Sequence, residues 1–414
     1  MPNITAVRGF KDILPDQSPL WSAVENKARN LAARFGYQEL RVPVLEKTEL
    51  FARGIGEATD IVEKEMYTLE DRSGGKITLR PEATAGIVRA VIENNLAEAG
   101  RTSRFFFLGP MFRYERPQKG RQRQFHQLDA EVFGDEGPYI DGEVIGFLYS
   151  FLTAELGLTE VSVQLNSLGC PKCRPRFREE LLSFLAGRKD GLCPDCQRRL
   201  DRNPLRVLDC KLPGCQDLTA DGPSMESCLC PECRQHLAGV TQALSLLEIP
   251  YSMNRRLVRG LDYYSRTAFE VHSGRLGAQS AVAGGGRYDG LCRELGGPDL
   301  PAIGFAVGLE RLILILNETG VQVQPAAGYY LAILCPEALD PAFRLASELR
   351  RRGLAVEADW QAGSLKSRLK RADRLRAAKV IMIGPDELAS GQATIRDMAS
   401  KDQFPLPLNA PEKY

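Results

Sequence analysis

The run from Phe107 to Gly134, FLGPMFRYERPQKGRQRQFHQLDAEVFG, sets Arg113, Glu115, Arg116, Lys119, Arg121, Arg123, Phe125, Gln127 and Glu131 around a turn-forming centre. Apolar flanks and a polar centre are the pattern of two strands holding a basic loop over a phosphate-bearing ligand. Arg113 could hold an α-phosphate while Glu115, two residues on, accepts an exocyclic amine. An ion pair across the strands is the plainer reading. It loses ground because Arg116, Lys119, Arg121 and Arg123 crowd the same loop, and so much like charge calls for an anionic partner. Phe125 could stack on a purine or pack in a core. Gln127 and Glu131, four apart, share one face of the returning strand and can meet a ligand ammonium group and a second polar group.

Other segments add to this set. Glu82 and Thr84 follow Pro81 and could complete an ammonium cage, although capping a helix would also account for Thr84. RGLDYY carries Arg259, Tyr263 and Tyr264 in an otherwise apolar run. A buried arginine must be paired, with a phosphate or with the nearby Asp262. GGGRYDG (Gly284 to Gly290) brings backbone close to whatever fills a cleft. In GLERL, Arg311 is placed to lie over a flat ligand, to touch a phosphate, or to face solvent.

Cysteines form a third group. Cys170-x2-Cys173 and Cys193-x2-Cys196 fit a four-thiolate zinc site, and Cys210, Cys215, Cys228, Cys230 and Cys233 allow other ligand sets. Reduced thiols packed as small hydrophobes are the alternative. Eleven cysteines, without an export signal at the N-terminus, argue against a disulfide framework.

These groups need a scaffold, and 414 residues with 43% hydrophobic content can bury two or three cores. Charges nearly cancel, 54 Lys plus Arg against 53 Asp plus Glu, so any nucleic-acid contact must come from local basic patches. No apolar run reaches the roughly 18 residues that span a bilayer, and a cytoplasmic chain without membrane contact is expected. Leu20 to Phe35 reads as an amphipathic helix, Tyr37 to Glu46 as an edge strand carrying Pro43, and Lys76 onward as a strand followed by a helix. That edge is a candidate dimer surface. An apolar helix over 144–157 and a strand over Val161 to Ser167 lead to the cysteine-rich stretch, which looks inserted. Val321 to Tyr329 reads as a linker, and beyond it strands and helices alternate as in a small α/β domain with parallel pairing.

Taken together, RGFKDILP, LRPEATAGIVRA, FRYERPQKGRQRQFHQLDAEVFG, VRGLDYYSRTAFE, GGGRYDGL, IGFAVGLERL and TIRDM closely resemble the histidyl-tRNA synthetases, a class II aminoacyl-tRNA synthetase family, over nearly the whole chain. The resemblance implies an α+β fold: a class II antiparallel-sheet catalytic domain over 1–325 with an insertion at about 170–240, and a C-terminal α/β anticodon-binding domain over 326–414. By the same resemblance Arg113 and Arg259 look like α-phosphate ligands and the catalytic pair. Glu115, Phe125 and Arg311, helped by Arg121, look like ATP contacts. Glu82, Thr84 and Gln127 look like holders of the histidine ammonium group, and Glu131 and Tyr264, with Tyr263 and Tyr288 alongside, like readers of the imidazole. One departure is Ala83, where glycine is usual.

The implied reaction has two steps, histidyl-adenylate formation from L-histidine and ATP with Mg2+, then transfer to the 3′ end of tRNA(His) by a homodimer. Lys366, Arg368, Lys370, Arg371, Arg374 and Arg376 form a basic helix suited to anticodon-stem phosphates or simply solvated. Structural zinc in the insertion would stand apart from catalysis. Two other readings compete. A histidine-sensing regulatory subunit of ATP phosphoribosyltransferase usually lacks the anticodon domain and parts of RGLDYY. A zinc-dependent RNA-binding protein would leave Glu82, Gln127 and Glu131 unexplained.

Overall fold

Strand periodicity organises the first half of the architecture. The computed structural model describes residues 3–56, 59–274, 281–320 and 328–408, and the chain falls into two units, Met1–Gln322 and Val323–Tyr414. In the first unit an eight-stranded sheet runs in the order Gln38–Glu39, Ser103–Phe112, Gln124–Phe133, Ala302–Gly308, Ala281–Arg287, Ser265–Ser273, Val161–Ser167 and Tyr251–Met253. The six central strands are antiparallel, and both edge strands pair in parallel.

Along Gln124–Phe133, Leu128, Ala130 and Val132 face one side and Gln127, Asp129 and Glu131 the other. The register sets Val307, Phe305 and Ile303 beside the apolar three, and Gly308, Ala306 and Gly304 beside the polar three. The apolar side joins a core with the helices Ser18–Arg34, Pro138–Ser150 and Leu309–Glu318. The polar side is thereby floored with small residues and left room above.

The second unit has five strands, ordered Val356–Ala358, Tyr329–Ile333, Lys379–Ile383, Gln392–Asp397 and Gln403–Pro407. The first three are parallel, as the alternation of strand and helix implies, and two antiparallel strands extend them.

Several expectations need correction. Tyr37 to Glu46 is not one strand. Gln38–Glu39 joins the large sheet, Leu45–Lys47 joins a separate three-stranded sheet, and Pro43 lies between. Arg80 Nη1 takes the carbonyls of Val42 (2.5 Å) and Pro43 (3.1 Å), which a continuous ladder would have used. The apolar helix starts earlier, at Pro138–Ser150, and a π-turn over Phe151–Glu155 continues it. Most of the expected linker, 321–327, falls outside the described residues. In the basic helix Leu365–Arg374, Arg368 points inward and pairs with Asp359 at 3.0 Å, so it is unavailable to a phosphate. Among the described residues no helix is long and apolar enough to cross a membrane.

The glycine strand Ala281–Arg287 is locked at its end by Arg287, which is fully buried. Its guanidinium pairs with the equally buried Asp141 at 2.7 Å, with Asp289 at 3.1 Å, and with the carbonyls of Asp135 (3.0 Å) and Gly137 (2.9 Å). Removing one partner of such a pair strands a buried charge. Arg287→Ala is expected to lower the unfolding free energy by about 3 to 5 kcal/mol in urea titration. Arg293→Ala, at the exposed Asp299 pair, should change it by roughly 1 kcal/mol or less.

Candidate active site

A cavity of about 380 Å³ opens on the small-residue floor. Glu82, Thr84, Arg113, Glu115, Arg121, Phe125, Gln127, Glu131, Arg259, Tyr263, Tyr264 and Arg311, all singled out from the sequence, line it. So do Tyr288, also named from the sequence, and Asp129, Glu270 and Glu310, which were not. Of the basic loop, Arg116, Lys119 and Arg123 are not among the lining residues.

Arg113 follows the strand Ser103–Phe112 rather than sitting on it, and its Nε donates to Pro81 O at 2.8 Å. Its guanidinium lies 5.2 Å from the Phe125 ring centre. Across the cavity wall, Arg259 Nη1 meets Glu270 Oε1 at 2.8 Å, and Glu270 Oε2 lies 3.2 Å from His272 Nε2. Asp262, the sequence-level candidate for that pairing, instead accepts from Asn203 at 2.9 Å.

The like-charge argument for the loop also needs revision, because three of its four cations find partners within the protein. Lys119 pairs with Glu318 at 2.8 Å, Arg121 with Glu115 at 3.2 Å, and the Arg123 guanidinium lies 3.7 Å from the Tyr114 ring centre.

The acidic end is built from three buried carboxyls. Glu82 accepts from the N–H groups of Thr84 (2.9 Å) and Ala85 (2.8 Å), so it caps the helix Thr84–Glu93. This frees the Thr84 hydroxyl to donate to Glu131 Oε1 at 2.6 Å. Tyr288 donates to Glu131 Oε2 at 2.5 Å. Asp129 Oδ2 and Gln127 Oε1 are buried and make no hydrogen bond among the described residues. Burial raises Glu82 and Asp129, Asp129 the more because Glu131 and Glu82 face it. Burial pushes Glu131 up to about 8, against the pull of the Thr84 and Tyr288 hydroxyls. At the opposite end burial lowers Arg311, Arg121 adding repulsion, while its Nη1 holds Ala281 O at 2.6 Å.

Glycines are steric requirements here. A Cβ on Gly304 would stand 1.6 Å from Glu131 Oε2, and one on Gly284 would stand 2.4 Å from Arg259 Nη1. Asp129, missed in the sequence, follows from the same period-two rule that paired Gln127 with Glu131. Glu270 carried no local signal, since its partner arrives from a loop. The arrangement offers guanidinium groups for an anion and, in the same cavity, unmet acceptors for a cation.

In the insertion the structure selects among the ligand sets left open by the sequence, and the four-cysteine set of Cys170, Cys173, Cys193 and Cys196 is not the one that forms. Cys170 and Cys173 gather with Cys230 and Cys233, while Cys193 and Cys196 gather with Cys210 and Cys215.

The family model described as Histidyl-tRNA synthetase matches residues 9–172 and 221–312, and that described as Anticodon binding domain matches 313–413. The chain is 50% identical over 408 residues to a histidine–tRNA ligase of Trichlorobacter lovleyi, covering 99% of this chain and 97% of that one. It is 51% identical over 408 residues to the same-named protein of Desulfatibacillum aliphaticivorans, covering 98% and 97%. Apo histidyl-tRNA synthetase of S. aureus superposes with a TM-score of 0.84 at 33% identity, over all of both chains.

The raised carboxyl has a consequence for stability. Between pH 4.5, the ordinary value, and about 8, the folded chain keeps a proton on Glu131 that the unfolded chain releases. This contribution is therefore fully present below the unfolded value and is lost as pH rises through the folded one. In urea titrations of unliganded protein, Glu131→Gln is expected to be more stable than the parent at pH 8, the gap closing towards pH 5. A gap that widens on acidification would contradict the assignment.

Proposed function

The chain belongs to the histidyl-tRNA synthetase family, and from that premise we propose that its cavity joins L-histidine to ATP, forming histidyl-adenylate and pyrophosphate, and then charges tRNA(His). The observation that supports this reading is a single cavity lined both by Arg113 and Arg259 and by three buried carboxyls, of which Asp129 keeps one oxygen without a hydrogen bond among the described residues.

The histidine carboxylate attacks the α-phosphorus in line, and negative charge grows on the phosphoryl oxygens. Arg113, held by Pro81 O, and Arg259, held by Glu270, are preorganised to stabilise it. No protein acid or base is required. Holding both reactants in place supplies the larger share, about 7 to 11 kcal/mol for a well-oriented pair. Phe125 and Arg311 offer faces for the adenine, and Glu115 an acceptor for its exocyclic amine. Glu82, Asp129 and Gln127 take the ammonium group. Glu131, oriented by Thr84 and Tyr288, accepts from the imidazole, and a buried carboxylate left unpaired rejects an apolar ring.

Magnesium neutralises phosphate charge when bound. Glu115 and Glu270, paired in this structure with Arg121 and Arg259, are the lining carboxylates that would hold such a hard cation. Zinc takes no part in either step, since no cysteine lines the cavity. For tRNA, the C-terminal unit offers exposed Lys366, Lys370 and Arg374 at helical spacing, with Arg376 just beyond. A cytoplasmic homodimer fits this reading.

Purified protein should exchange pyrophosphate into ATP only when histidine is present. Histidine binding without exchange would instead indicate a sensor. Arg259→Ala should cut exchange by about 10²-fold or more while the histidine Kd stays near the parent value, and undiminished exchange would remove Arg259 from its role.

A further inference from the structure

The cysteine insertion is a second site in its own right. All eleven cysteines are free, and eight of them form two sets of four. Within each set the sulfurs lie within 4.8 Å of one another. Cys170 Sγ stands 3.7 Å from Cys173 Sγ and 3.9 Å from Cys230 Sγ, and Cys193 Sγ stands 4.0 Å from Cys210 Sγ. A tetrahedral ion with Zn–S bonds of about 2.3 Å needs sulfur separations of about 3.8 Å. An iron–sulfur cluster with several irons would have to spread its four cysteines wider. The spacings also match: three C-x2-C pairs and one C-x4-C. Backbone N–H groups already donate to sulfur, Cys230 N to Cys173 Sγ and Cys193 N to Cys215 Sγ, both at 3.2 Å.

Phe177, Leu181, Leu185, Val207 and Leu208 give the insertion an apolar core, to which its helices contribute unequally. The helix Pro194–Arg202 reads PDCQRRLDR, with Leu200 its one large apolar residue, so burial does little to hold it. Cys173, Cys193 and Cys230 each stand directly before a helix, so an ion at each set would fix helix starts to one another.

What the insertion holds in turn is the segment 259–264. Arg174, next to Cys173, donates to Tyr264 O. Arg206 donates to Gly260 O and lies 3.7 Å from Asp262, which also accepts from Asn203. We propose that the chain binds two structural zinc ions, one at Cys170, Cys173, Cys230 and Cys233 and one at Cys193, Cys196, Cys210 and Cys215, and that they brace the segment carrying Arg259, Tyr263 and Tyr264. Each ion replaces four thiol protons, which leave to solvent, with no change of oxidation state. The metal sites and the bracing stand on geometry alone, independently of the function proposed above.

Elemental analysis of the untagged chain should find about two zinc ions per chain. Cys196→Ser and Cys233→Ser should each retain about one. Cys228→Ser, whose sulfur belongs to neither set and contacts Glu180 at 3.2 Å, should retain both. Stripping zinc with a mercurial and a chelator should speed hydrogen exchange at 259–264 and leave the strands 103–112 and 124–133 protected. A folded parent without metal, iron in place of zinc, or unchanged exchange at 259–264 after stripping would overturn the proposal. Metal content and exchange are read without substrate, so they can fail while pyrophosphate exchange survives, and the reverse.

Discussion

Three carboxyls buried on one side of a sheet, with too few partners, set the terms for the rest of the molecule. A carboxylate removed from water needs donors or a counter-ion. Glu82 finds two N–H groups at a helix start and Glu131 two hydroxyls, while Asp129 keeps one oxygen with no hydrogen bond among the described residues. Glu82 and Glu131 also raise the proton affinity of Asp129, and Glu82 that of Glu131. An amino acid's ammonium group brings one positive charge and three donors into that deficit. The unliganded fold thus carries a deficit that a bound cation would relieve, and Arg113 and Arg80 offset only part of it.

Space is the complementary constraint. Side chains that reach across a sheet need neighbours without side chains of their own. The register gives Glu131 the bare Gly304, while Arg259 reaches over Gly284. Gly286, directly opposite Gly304, extends the same clearing. The clearing in turn depends on Arg287, whose buried pairing with Asp141 fixes the end of the glycine strand against the helix Pro138–Ser150. A structural ion pair on one side of the sheet therefore positions emptiness on the other.

Where function sits on a repeating pattern, the sequence was readable. Period two placed Gln127 and Glu131 on one face and would have placed Asp129 between them. Helical periodicity found the main helices, and alternation found the parallel start of the second unit. What failed were inferences from neighbourhood in the chain. Tyr37 to Glu46 reads as one strand, but Arg80 arrives from another segment to take the carbonyls. Lys119 finds its counter-charge on Glu318, far along the chain. Cys170 and Cys173 skip the nearest C-x2-C pair because the insertion folds back on its own base before closing, and linear order does not carry that nesting. Family resemblance reached the site residues by motif, and the insertion is where motif thins out: the family model leaves 173–220 unmatched.

That unmatched stretch bears on the matched site. Arg174, Asn203 and Arg206, which grip 259–264, all lie within it. Arg206 is nearly buried, so a shift of the insertion would leave its guanidinium without Gly260 O and without Asp262. A buried guanidinium resists losing such partners, since Asp60 at 4.0 Å would be left to replace them. The order of the loop that presents Arg259, Tyr263 and Tyr264 to the cavity is therefore tied to the order of a polar, cysteine-rich segment outside it. The precision with which that loop is held thus rests on a supporting layer in which two sets of four cysteines are packed into an apolar cluster.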